Sequence, residues 1–182
     1  MGIFLFMFSQ NQTQAQTELP WITEARKHIG LTEIAGKQHN STIGNWLISL
    51  KAWWTDDETP WCGTFVAHCA RTAGRDLPQH WYRALDWQNT GTRLNAPAYG
   101  CVVVFARQGG GHVGFCVGQD EQGNLWILGG NQGNKVSVAK FPKNRVTAYV
   151  WLGKDGVPSL PKESRYDLPV LQLAGEFSRN EA

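Results

Sequence analysis

A cysteine in the first turn of a helix has chemistry open to it that a cysteine elsewhere lacks, and Cys62 is read at such a place. In Thr59-Pro60-Trp61-Cys62 a proline opens a helix that runs through Phe65, Val66, Cys69, Ala70 and Ala73 to Gly74, which stops it. The unpaired N–H groups and the positive dipole end of that first turn favour thiolate over thiol. Thiolate is the form that attacks a carbonyl carbon, and the Cys62 N–H can serve an oxyanion hole. A buried structural cysteine is the plainer reading, so the residue needs a partner.

His112 is the candidate base. It follows Gly109-Gly110-Gly111 and opens the run Val113-Gly114-Phe115-Cys116-Val117, a polar residue at the start of an apolar strand. Glycines there permit close approach of another backbone, such as a helix bearing a nucleophile. A structural, hydrogen-bonded histidine is the alternative. Asn131 emerges from Leu125-Trp126-Ile127-Leu128-Gly129-Gly130 into a turn. From an adjacent antiparallel strand it can accept the Nδ1 hydrogen of His112, so that Nε2 faces the sulfur; it can equally support a left-handed turn beside glycine. Cys69, two turns on from Cys62, reads as core, and His68 lies on another face with a structural role. His28, His39 and His80 lack comparable punctuation.

The elements that must position these residues follow from periodicity. Trp21, Ile22, Ala25 and Ile29 mark a helix from Pro20, and Ile43, Trp46, Leu47 and Leu50 mark a second. The Cys62 helix is the third, Trp81 to Trp87 is read as a short helix, and 91–100 as loop. Strands are expected at 101–106, 112–117, 125–128, 136–139 and 146–152, with short glycine- and asparagine-rich turns that favour an antiparallel meander. The fold class is α+β.

Four stretches carry a resemblance to a known family: Thr59-Pro60-Trp61-Cys62-Gly63-Thr64-Phe65-Val66, Gly100-Cys101-Val102-Val103-Val104-Phe105, Gly111-His112-Val113-Gly114-Phe115 and Leu128-Gly129-Gly130-Asn131-Gln132. In order and spacing they resemble the CHAP and NlpC-type cysteine peptidases, over roughly residues 19–152. The resemblance implies a papain-like domain, with N-terminal helices packed on a five- to six-stranded antiparallel sheet. It also implies amide hydrolysis in cell-wall peptides through a thioester, with Cys62 as nucleophile, His112 as base and acid, and Asn131 as orienting residue. Many CHAP members have an acidic residue two positions before that Asn; here the position is Gly129, so a triad is preferred to a four-residue site. Amidase and stem-peptide endopeptidase both remain open, as do lysin, remodeller and antibacterial effector with an immunity partner. An inactive wall-binding module and a cysteine transferase or peptidase acting on a non-wall substrate are the competing readings. Action in the periplasm or at the cell wall is implied, after secretion or phage delivery.

Composition narrows the alternatives. With 182 residues the chain is long enough to bury one core without metal or disulfide support, and a formal net charge of +2 offers no basic patch for nucleic acid. Cys62, Cys69, Cys101 and Cys116 form no C-x-x-C pair and no zinc spacing with histidine, so no metal site, redox dithiol or cofactor is expected. Cys101 and Cys116 read as small buried hydrophobes. Asp56, Asp57 and Glu58 read as a solvated acidic loop before the nucleophile, with a place along a substrate groove as the other option. Trp53, Trp54, Trp61 and Trp81 can wall such a groove, although core packing is the default for each. Met1 to Phe8 are apolar yet too few to cross a bilayer, and Ala15 leaves an atypical signal open. Residues 1–18 are taken as lead-in, 19–152 as the catalytic domain and 153–182 as an extension; peptidoglycan is the expected partner of a monomer without stable membrane insertion.

Overall fold

The computed structural model describes residues 17–174, so the readings of Met1–Phe8 and Ala15 lie outside the described residues. Three helices precede the sheet. Helix α1 (Pro20–Lys27) starts on its proline and buries Trp21, Ile22 and Ala25; the Trp21 indole N–H donates to Gly100 O at 2.8 Å, pinning the helix to the sheet. Helix α2 (Ser41–Ser49) is capped by Asn40, whose side-chain oxygen accepts from the N–H groups of Thr42 and Ile43. It buries Ile43, Trp46 and Leu47.

Helix α3 (Cys62–Thr72) is buried on nearly every side, at Cys62 to Ala67, Cys69 and Ala70. That follows from its place between α1 and α2 on one side and the sheet on the other, and from a sequence almost without charge. Gly63 allows the chain at Trp81–Tyr82 to lie against it: a Cβ there would sit 2.6 Å from Trp81 O. The short helix expected at 81–87 is a 3-10 turn, Ala84–Asn89.

The sheet has six strands: β1 (Thr92–Leu94), β2 (Val102–Arg107), β3 (Gly110–Gln119), β4 (Leu125–Gly129), β5 (Ser137–Phe141) and β6 (Val146–Trp151). Their order is β1-β6-β2-β3-β4-β5, with every neighbouring pair antiparallel. The α+β class and the helices-on-sheet packing are therefore as expected. Two features depart from the local reading. Strands β2 to β5 form the meander, but β6 crosses back and lies between β1 and β2. Residues 92–94, read as loop, are an edge strand held only because β6 is beside them.

Cys101 and Cys116 face each other where β2 and β3 meet, with Cys116 N–H donating to Cys101 O at 2.9 Å; all four cysteines are reduced and buried. The segment after β6 docks on the sheet rather than leaving it. Gln119 N–H donates to Pro169 O, Leu171 N–H to Gln119 O and the Trp126 indole N–H to Leu171 O. Leu168 is buried with the core. Among the described residues, no helix is long and apolar enough to cross a membrane.

Candidate active site

Cys62 is the first residue of α3 and is 4% exposed. Trp61 ahead of it is buried, its indole N–H donating to Glu33 at 3.0 Å, which anchors the entry to the helix. Burial pushes the Cys62 thiol up from its ordinary pKa. Hydrogen bonds from the backbone at Val113 and Gly63, and the positive charge of Arg107, work the other way. The Val113 contact places the sulfur beside the residue next to His112. The β3–β4 ladder ends at Phe115↔Leu128, short of Val113, so this part of the strand is given to α3 instead of to β4.

His112 is 1% exposed, with its ring stacked on Phe141 at 5.4 Å and 7° and tilted against Phe105 at 6.2 Å. Its Nε2 lies 3.0 Å from Gln132 Oε1. The expected ring orientation, with Nε2 toward the sulfur, is thus corrected: Nε2 is engaged by Gln132. The donor and acceptor in this bond follow from the rest of the amide. Gln132 Nε2 donates to Ile127 O at 3.1 Å and Ser137 O at 2.8 Å, and carbonyl oxygens only accept. The oxygen end therefore faces His112, and the imidazole Nε2–H is the donor. A neutral ring held this way carries its lone pair on Nδ1.

Asn131 is 1% exposed and has a left-handed backbone, φ 56°. It turns the chain after β4 so that the next residue, Gln132, reaches back beneath the strand it has just left. Gly130 lets this turn press on α3: a Cβ there would lie 2.6 Å from Phe65 Cβ and 2.8 Å from the Trp61 ring. A Cβ at Gly129 would collide with Gln132 Oε1 and come to 3.4 Å from His112 Nε2. The space that an acidic side chain at position 129 would take is filled by the Gln132 amide. Residue type alone did not single out Gln132; the weak signal was a glutamine placed directly after an asparagine between glycines.

In the acidic run before Cys62 the solvated reading holds for Glu58, which is exposed, and is corrected at Asp57. Asp57 is fully buried and accepts from Ile34 N–H (2.9 Å), Asn40 N–H (2.7 Å) and His39 Nδ1 (2.9 Å). Burial acts to raise its pKa, and these hydrogen bonds together lower it below the usual carboxylate range. Asp56 accepts from Thr59, and Glu58 from Gly36 N–H. These carboxylates fold the loops around 34–40 and 55–60; they do not form a groove.

Two concavities flank the Trp81–Leu85 segment. One, of about 400 Å³, is lined by Trp53, Trp54, Thr59, Pro60 and Tyr82, the last residues before Trp61 and Cys62 among them. The other, of about 290 Å³, is lined by Arg83, Ala84, Leu85, Asp86, Gly110 and Gly111, the two residues before His112 among them. Trp53 is 78% exposed, so of the four tryptophans read as wall candidates it is the one the core does not claim.

Nothing among curated proteins or solved structures matches the chain. Residues 54–131 match the family model described as the CHAP domain. This stretch, from the aromatic rim through the thiol and the imidazole to the turn that leads into Gln132, is what the chain shares with the CHAP domain.

Proposed function

We propose that the chain hydrolyses an amide bond of bacterial peptidoglycan, with Cys62 as nucleophile and His112 as general base and acid. Asn131 and Gln132 complete the set, the first forming the turn and the second holding the ring. The observation that carries this reading is the thiol at the start of α3 hydrogen-bonded by Val113 N–H, next to a histidine whose tautomer is set by Gln132. Its place in a CHAP segment supplies the substrate class.

In the first half-reaction His112 Nδ1 takes the thiol proton and Sγ bonds to the amide carbon. The carbonyl electrons move to oxygen, where the Cys62 N–H is available to stabilise the charge. The C–N bond then breaks as the imidazolium returns its proton to the departing amine, leaving a thioester. Water, deprotonated by Nδ1, attacks the thioester and releases the carboxylic acid and the thiol. Burial works against the thiolate, so the imidazole that takes the proton and the sulfur that attacks act as a unit.

The test is digestion of purified sacculi followed by mass spectrometry of the released muropeptides. Wild type is expected to release fragments bearing a new amine and a new carboxylate, and Cys62→Ala to release none while keeping its circular dichroism spectrum. Equal release by both proteins would remove Cys62 from its role. The mass of the fragments separates cleavage at the muramoyl–alanine amide from cleavage inside the stem peptide.

A further inference from the structure

Away from the candidate active site, Glu24, His28 and His68 converge as a group of potential metal ligands among the described residues. Glu24 and His28 are one turn apart on α1, and His68 is on α3. The Nε2 atoms of both rings are 2.9 Å from the same carboxylate oxygen, Glu24 Oε1, and the three donor atoms lie within 4.8 Å of one another. Trp46 of α2 fixes both rings from the core side, stacked on His68 at 4.9 Å and 19°, and edge-on to His28 at 4.9 Å. Side-chain exposures of 18% for each histidine and 12% for Glu24 leave the cluster open to solvent on one side.

We propose that Glu24, His28 and His68 form a binding site for a divalent cation of the zinc type, joining α1 to the helix that begins with Cys62. Two imidazole nitrogens and one carboxylate oxygen are a donor set zinc accepts, with water as the fourth ligand. An imidazole lone pair points where the N–H it replaces pointed. Both rings are aimed at Oε1, so a small turn of each brings their lone pairs onto one ion just in front of that oxygen, about 2 Å from each nitrogen. An ion there lies closer to the present Oε1 position than a zinc–oxygen bond allows, so the carboxylate swings back by about 1 Å to make the third bond. Lys27, on Oε2 at 2.8 Å, is 63% exposed and withdraws into water without disturbing the core. The rings keep their orientation without the carboxylate, because Trp46 and two separate helices hold them; this preorganisation is what a metal site needs and a surface ion pair does not.

The experiment uses the full chain carrying Cys62→Ala, which removes the least buried of the four thiols and makes the result independent of the hydrolytic reading. The protein is stripped with EDTA, then titrated with Zn²⁺ by calorimetry and with Co²⁺ by visible absorption. One Zn²⁺ per chain is expected, with a rise in Tm and a cobalt spectrum of a four-coordinate nitrogen and oxygen site lacking a sulfur charge-transfer band. Glu24→Gln and His68→Ala should weaken binding at least ten-fold and cancel the rise in Tm. His28→Ala serves as the further variant if either is misfolded by circular dichroism. No uptake by the parent, uptake unchanged in the folded variants, or a sulfur-bearing cobalt spectrum would each overturn the site.

Discussion

A side chain at position 129 and the amide of Gln132 compete for one space beside His112 Nε2. Many CHAP members place an acidic residue there; this chain has glycine and brings in an amide from three positions later. The exchange has an electrostatic consequence, since an amide orients the ring without adding negative charge to it. Gln132→Ala is expected to lower kcat by about 10- to 100-fold with KM little changed, the range for loss of a group that orients a functional histidine. Gly129→Glu in the Gln132→Ala background should recover part of that loss and move the pH–rate profile upward, because a carboxylate beside the imidazole favours its protonated form. Steady-state kinetics from pH 5 to 9 on the three proteins checks both outcomes. The places of Cys62 at a helix start and of His112 in a strand were legible from the sequence because proline and triple glycine punctuate them. Gln132 was not, because its contact depends on the left-handed turn at Asn131 and on which carbonyls the amide meets in three dimensions.

At the level of elements, carboxylates do most of the fastening between helices and loops. Asp57 joins the loop before α2 to the loop before α3 through two backbone N–H groups and His39. Asp57→Ala leaves those donors buried without their acceptor, and a loss of about 3 kcal/mol is expected in chemical denaturation. Glu24 fastens α1 to α3. Burial raises its pKa, but hydrogen bonds from Lys27, His28 and His68 more than offset this, and it falls from an ordinary 4.5 to about 2. A carboxylate with a depressed folded pKa contributes stability that is present above its unfolded value and is lost as pH falls. Unfolding free energy should therefore decline between pH 4.5 and pH 2, and Glu24→Gln should flatten that slope; denaturant titrations at several pH values measure it. The three helices were readable from their apolar spacing, since Pro20, Pro60 and Gly74 mark ends that physics enforces locally. The fastening was not: Asp56, Asp57 and Glu58 look the same in sequence whether they face water or one another's loops.

For the molecule as a whole, sequence patterning identified five of the six strands and left their order in the sheet incomplete. Alternation and turn spacing describe each hairpin from β2 to β5, but nothing local in Val146–Trp151 says that it returns past three strands to pair with β2. The three-residue β1 was invisible for the same reason, because it is a strand only by virtue of β6. The docking of residues 168–171 on β3 and β4 likewise depends on a surface assembled from distant parts of the chain.

The late arrival of β6 bears on how the protein is made. Every residue proposed for hydrolysis, from Cys62 to Gln132, leaves the ribosome before Val146 does, yet β2 remains an open edge until the last strand closes it. A nascent chain thus holds every proposed residue without the frame that sets their spacing. A product ending at Phe141 is expected to be inactive and to collect in the insoluble fraction. Adding residues 142–174 as a separate peptide should restore soluble activity in proportion to the peptide bound, measured by sacculus digestion after mixing.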